Sequence, residues 1–170
     1  MQAVSYRKKQ APVENLVQDD TLISPILHFT LQGTLPAQYR LALNVQLGTL
    51  SCFAVSNKHP VLAVEAQFTN SELSLLLPLL KSFPHYCPYE VLFAHFYNSN
   101  VTEPIIARSR QHLHQVLERG TWEQELKPVR NVLSRTRLKL RSFGINILSI
   151  LETGCILTVV GESRRSLKIA

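Results

Sequence analysis

The sequence predicts an α+β fold in which a small antiparallel sheet is followed by three or four helices and a C-terminal β-hairpin. Three observations predict this order. Residues 26–68 contain short β-rich runs between turn residues, residues 69–144 show the apolar period of helices, and residues 145–160 return to two β-rich runs. With 170 residues, of which 45% are hydrophobic, the chain is long enough to form one domain around one core.

The segments at the two ends are expected to lie outside this domain. Residues 1–25 have no regular apolar period and are predicted to be a flexible arm, and residues 161–170 are predicted to be a basic tail. No apolar stretch approaches the roughly 20 residues of a membrane helix, and the first residues lack the apolar centre of a signal peptide. The three cysteines are too scattered for a disulfide framework and are expected to be reduced and mostly buried. These features predict a cytoplasmic protein with no membrane partner.

Four strand-like runs make up the predicted N-terminal sheet. β-Branched, leucine and aromatic residues dominate the runs, and glycine, proline and asparagine lie between them. The predicted strands are 26–31, 39–47, 50–55 and 61–68.

Three helices are predicted between this sheet and a basic segment. Thr69 or Asn70 can cap the first helix, with Glu72 in its first turn. Residues 89–97 are predicted to form the second helix and residues 102–119 the third. The apolar stripe of the third helix is predicted to consist of Ile105, Ile106, Leu113, Val116 and Leu117.

A strongly basic fourth helix is predicted from about residue 128 to 141, and Gly144 ends it. Residues 126–141 contain six basic and no acidic residues, which equals the net charge of +6 of the whole chain. At about 100° per residue, one arc of this helix contains Val129, Val132, Leu133, Thr136 and Leu140. Since residues 126–141 contain no acidic residue to pair with these cations, the repulsion among them is expected to lack compensation within the segment, which favours a polyanionic ligand. The face opposite the apolar arc has the composition of a surface that binds the major groove of DNA.

Three short segments resemble parts of a known family. The segment VLSRTRLKL at 132–140 resembles a recognition helix, FTNSELSLL at 68–76 resembles the entry to a first helix, and ETGCIL at 152–157 lies where a wing is expected. The family they resemble is the OmpR/PhoB-type effector domain of bacterial response regulators. This resemblance implies a winged helix-turn-helix fold over residues 26–160, without a receiver domain.

The resemblance also implies roles for individual residues. Arg135 would contact bases, Arg137 would contact phosphates, and Asn131 and Ser134 would lie on the same DNA face. The complete set predicted to contact double-stranded DNA is Lys127, Arg130, Asn131, Ser134, Arg135, Arg137, Leu138, Lys139, Arg141 and Thr153.

The chain departs from that family in the wing and before the basic helix. Leu151 and Glu152 stand where the family has Arg and Gly, so the arginine that would enter the minor groove is missing. The helix at 102–119 replaces the loop through which the family contacts RNA polymerase. The resemblance therefore implies RNA polymerase or another protein as a partner for residues 102–119. It also implies a homodimer on DNA, because the family often binds paired half-sites.

The sequence predicts no enzyme, no metal and no cofactor. Both aspartates, Asp19 and Asp20, lie in the predicted arm, and His112 and His114 are two residues apart, so they point in different directions on a helix. The sequence contains no phosphate-binding loop and no nucleophile elbow. The predicted function is a DNA-binding transcriptional regulator. The alternative is a winged-helix module that binds another protein and has lost DNA binding, which the altered wing and the additional helix favour.

Overall fold

The computed structural model describes residues 26–56, 59–82 and 84–160. Within them the fold is α+β, with a four-stranded antiparallel sheet, four helices and a C-terminal hairpin, as the sequence predicts. The strands are β1 (Ile26–Phe29), β2 (Tyr39–Asn44), β3 (Thr49–Ser56), β4 (His59–Gln67), β5 (Tyr86–Pro88), β6 (Ile145–Ile150) and β7 (Gly154–Val159), and the helices are α1 (Asn70–Lys81), α2 (Tyr89–Tyr97), α3 (Glu103–Glu118) and α4 (Trp122–Leu140). The predicted arm at 1–25 and basic tail at 161–170 lie outside the described residues.

The N-terminal sheet has the strand order β1-β2-β3-β4, with every neighbour antiparallel. Gly48, in the turn between β2 and β3, has a φ of +69°, and a Cβ at this position would collide with the carbonyl oxygen of Phe68. The backbone N–H of Phe68 donates to the carbonyl oxygen of Gly48 over 2.7 Å. This contact fixes the end of the sheet beside the start of α1.

The capping box at the start of α1 is present as the sequence predicts. The backbone N–H of Glu72 donates to Oγ1 of Thr69 over 3.3 Å, and the backbone N–H of Thr69 donates to Oε2 of Glu72 over 2.8 Å. Five of the six leucines that follow are buried, Leu77 is half-buried, and Pro78 lies inside the helix. The N-terminus of α1 is therefore held firmly, with the carboxylate of Glu72 inside the protein.

The sequence analysis did not predict β5, which adds a third strand to the C-terminal hairpin. The resulting sheet has the order β5-β7-β6, and Cys87 lies directly opposite Cys155. The three cysteines are free and buried, as expected, and burial raises the pKa of Cys87 to about 12. Because β5 is followed immediately by α2, the hairpin is joined to the helices and not only to the end of α4.

The basic helix begins at Trp122 and not near residue 128. The sequence resembles a capping box at Thr121 and Gln124, and Thr121 is the N-cap residue but makes no side-chain cap hydrogen bond. Proline is common in the first turn of helices, but Pro128 lies inside α4, where it removes one backbone hydrogen bond and its ring crowds the carbonyl group four residues earlier. Residues 122–127 continue the helix because Trp122 and Leu126 are both buried. The ring of Trp122 makes an edge-to-face contact with Tyr89, with the centroids 5.7 Å apart.

The third predicted helix is confirmed, and its apolar stripe is confirmed in part. Leu113 and Val116 are buried, Ile105 and Ile106 are half-buried, and Leu117 is 37% exposed. None of the helices in the described part of the chain has the length and apolarity that a bilayer crossing requires.

Candidate nucleic-acid interface

The buried face of α4 is the one that its apolar period predicts. Its members are at most 4% exposed and are Val129, Val132, Leu133, Thr136 and Leu140. The hydroxyl of Thr136 donates to the carbonyl oxygen of Val132 over 2.9 Å, so this buried polar group is satisfied within the helix. This packing fixes the rotation of α4 and turns the opposite face outward.

Exposed Glu123 and Gln124 begin the outward face of α4, and six exposed residues that follow on it are called the basic face below. They are Lys127, Asn131, Ser134, Arg135, Leu138 and Arg141, the last of which immediately follows the helix. No ion pair joins the side chain of Lys127, Arg135 or Arg141 to another described residue. Leu138, near the middle of the exposed stripe, is 63% exposed. The basic face therefore combines free cations with amide, hydroxyl and apolar side chains.

The other three cations of α4 have partners within the chain, so the expectation that the cations lack internal compensation is wrong for them. Arg130 pairs with Glu123, and Lys139 pairs with Glu72. The Nε–H of Arg137 donates to the carbonyl oxygen of Ile147 over 2.7 Å. These partners lie in the first turn of α4, in α1 and in β6. None of them is within residues 126–141, which is why the local charge pattern did not indicate them.

Lys139 joins α4 to the beginning of α1. Its ammonium group donates to Oε2 of Glu72 over 2.7 Å and to the carbonyl oxygen of Gln67 over 2.8 Å, and it lies 5.3 Å from the ring centroid of Phe68. Burial acts to raise the pKa of Glu72, but the hydrogen bonds from Lys139 and from the backbone of Thr69 outweigh burial and lower it. Two of the three N–H donors of Lys139 are thus used to hold the fold together.

The hairpin formed by β6 and β7 lies beside α4. One Nη of Arg137 donates to Oγ of Ser149 over 3.3 Å, in addition to the bond from its Nε to the backbone of β6. At the turn, Leu151 is 78% exposed, and Glu152 is exposed with a φ of +53°. The hydroxyl of Thr153 donates to the carbonyl oxygen of Leu151 over 2.9 Å, so this predicted DNA contact residue is bonded within the turn.

The outer side of α3 is exposed at Arg108 and Arg119, as the sequence predicts. His112 pairs with Glu125 over 2.6 Å, which links α3 to α4. His114 pairs with Glu118 on α3 itself. Within the described ranges, no three His, Cys, Asp or Glu side chains are placed to hold a metal ion.

Comparisons of the chain with protein-family models, with curated proteins and with solved structures found no match. The functional argument below therefore depends on the charge, exposure and contacts of the chain's own residues. Two of these residues, Glu123 and Ser149, were not singled out by the sequence. Glu123 lies seven positions, or two turns, before Arg130 on α4. A sequence prediction that began the helix at Trp122 would have placed these two side chains on the same helix face. Ser149 has no sequence signal of its own.

Proposed function

We propose that the chain is a DNA-binding transcriptional regulator with a winged helix-turn-helix fold, in which the basic face lies in the major groove. The observation that carries this proposal is the combination, on one outward helix face, of Lys127, Arg135 and Arg141, none of which forms an ion pair with another residue that the structure describes. Isolated cations on a surface repel one another, and a polyanion relieves that repulsion. In this proposal α4 is the recognition helix and the β6–β7 hairpin is the wing.

The residues of the basic face divide into two groups by their chemistry. Arg135 and Asn131 have the donor patterns that pair with guanine and adenine edges, and the exposed side chain of Leu138 is suited to contact with a thymine methyl group. Lys127 and Arg141, near the two ends of the face, would reach phosphates and set the position of the helix.

Binding to mixed-sequence duplex DNA over a salt series tests the proposal. Lys127 and Arg141, the two cations assigned to phosphates, predict that the logarithm of affinity falls against the logarithm of salt concentration with a slope of about −2, because each neutralised phosphate releases about 0.9 counterion. Fluorescence anisotropy with a labelled duplex measures this slope. A purified protein that shows no salt-dependent affinity at low ionic strength would contradict DNA binding.

The alternative, a winged-helix module that binds a protein, is favoured by one set of observations. Leu138 and Leu151 are both exposed apolar side chains, and three cations of α4 are already paired within the chain. A partner with an apolar and acidic surface would suit them. This function would be identified instead by binding to a protein partner that is insensitive to salt and that is lost when Leu138 and Leu151 are changed to Ser.

Glu152→Arg is expected to tighten binding to all duplexes by about threefold to tenfold at low salt and to steepen the salt slope by about 0.9. Glu152 is an exposed anion on the hairpin beside the proposed DNA surface, and its replacement removes repulsion from phosphates. The strain of its positive φ is the same for Arg, so the fold is unaffected. Anisotropy titrations with two unrelated duplexes measure the effect.

Glu118→Arg on α3 is the matched control, because Glu118 is also an exposed glutamate, 66% accessible, but lies on a different surface. It makes the same charge change and is expected to alter affinity much less. An equal gain from both variants would show that total charge and not the hairpin position determines affinity.

A further inference from the structure

A groove of about 320 Å³ lies between α4 and the C-terminal hairpin. Four of the five side chains that line it end in guanidinium or hydroxyl groups. They are Arg130, Ser134 and Arg137 from α4 and Ser149 from β6, with the buried Leu133 as the remaining member. Among the described residues, neither carboxylate nor amide side chains line this groove, so its chemistry favours an oxyanion.

Arg137 is fixed in this groove before any ligand binds. Its Nε–H is bonded to the carbonyl oxygen of Ile147 and one of its Nη groups to Oγ of Ser149. A guanidinium group has five N–H donors, so these two bonds leave three for a ligand. Because the side chain is already ordered, little further conformational entropy is lost on binding.

The other groups of the groove can exchange their present partners for a ligand. The pair between Arg130 and Glu123 is weak, since Glu123 is 74% exposed and water competes for its carboxylate. The hydroxyl of Ser134 donates to the carbonyl oxygen of Arg130 over 2.9 Å, a bond that rotation about one torsion angle releases. The hydroxyl of Ser149 is 3.8 Å from Sγ of Cys155, a long contact that an anion's oxygen can replace.

We propose that this groove binds one phosphate of the DNA backbone, whose non-bridging oxygens accept hydrogen bonds from Arg137, Arg130 and Ser149. The proposal rests on the proposed function. A helix in the major groove and a hairpin beside it are separated by one sugar-phosphate strand, and the groove lies between these two elements. Charge-assisted bonds from two guanidinium groups suit a phosphate oxygen in geometry and in charge. Ser149 thereby gains a role in DNA binding that its sequence position does not suggest.

Neutralising single phosphates tests the assignment. In a duplex selected for binding, methylphosphonate is placed at each position in turn, and the groove phosphate, in addition to those contacted by Lys127 and Arg141, is expected to lower wild-type affinity about tenfold when replaced. For the Ser149→Ala and Arg137→Gln variants, methylphosphonate at the same position is expected to lower duplex affinity about threefold or less, because the substitution has already weakened the groove contact. Ser149 is exposed, so its variant keeps the fold even if Arg137→Gln loosens the hairpin. Arg135→Ala, which lies outside the groove, is expected to retain the full tenfold penalty.

Glu123→Gln provides a variant that gains affinity. Releasing Arg130 from its ion pair is expected to tighten duplex binding about threefold, and this gain is expected to disappear on the duplex that carries methylphosphonate in place of the groove phosphate. Glu125→Gln removes the same charge from the same region of α4 but faces His112 on α3. This control is expected to change affinity much less.

The outcomes separate this inference from the proposed function. Duplex binding in which no phosphate position couples to Ser149 or Arg137 would overturn the groove assignment and leave DNA binding intact. If the wild-type protein binds no duplex, both fail. Inorganic phosphate is added as a competitor against chloride at equal ionic strength. Phosphate is expected to displace the duplex more than chloride does from the wild type but not from Ser149→Ala, and an excess displacement by phosphate that is equal in both proteins would overturn the groove assignment.

Discussion

Replacing Arg135 and Arg141 together by Glu is expected to lower the affinity for duplex DNA at least about 100-fold at low salt. Both side chains are exposed on the basic face, and neither is paired with another described residue. The substitution therefore removes two cations and places two anions against phosphates without breaking an internal contact. Anisotropy titrations measure the affinity, and thermal unfolding followed by circular dichroism is expected to show an unchanged midpoint.

Arg108→Glu combined with Arg119→Glu is the matched control for this experiment. It makes the same change in net charge on α3, where both arginines are exposed. At physiological salt, charges more than about 8 Å apart are largely screened, so a distant pair is expected to change affinity only slightly. If both double variants weaken binding equally, affinity reflects the total charge of the protein and the basic face has no special role.

The elements that depend on local periodicity could be predicted from the sequence. The buried face of α4 was predicted residue by residue, because a 3.6-residue period determines which side chains share a helix face. The capping box of Thr69 and Glu72 was also predicted, because both partners lie within one turn. In each case the interacting residues are close in the sequence, so composition and spacing are sufficient.

The contacts that join distant segments could not be predicted. Lys139 and Glu72 are 67 residues apart, and no local pattern indicates that α1 supplies the partner of a cation in α4. β5 is only three residues long and contains a proline, so its strand character depends on pairing with β7. For the candidate site, such long-range contacts determine which cations of α4 are held in place within the protein, and the local charge pattern does not indicate them.

Glu72→Ala is expected to lower the free energy of unfolding at neutral pH by about 2–4 kcal/mol. The side chain of Glu72 is 3% exposed, and its carboxylate accepts hydrogen bonds from Lys139 and from the backbone of Thr69. The substitution leaves the ammonium group without its carboxylate partner and removes half of the capping box. Urea unfolding followed by circular dichroism measures the change.

The pH dependence of this loss distinguishes an ionic contact from simple packing. Because the pKa of Glu72 in the folded protein is lowered from its ordinary value of 4.5, its contribution to stability is complete well above pH 4.5 and is lost as the pH falls through the lowered pKa. The stability difference between the wild type and Glu72→Ala is therefore expected to shrink in acid. Glu65→Ala on β4 is the control, since Glu65 is an exposed carboxylate bonded to Ser51, and its loss is expected to matter little at any pH. A difference for Glu72→Ala that stays constant from neutral to acid pH would mean that packing alone, without the carboxylate charge, holds α1 to α4.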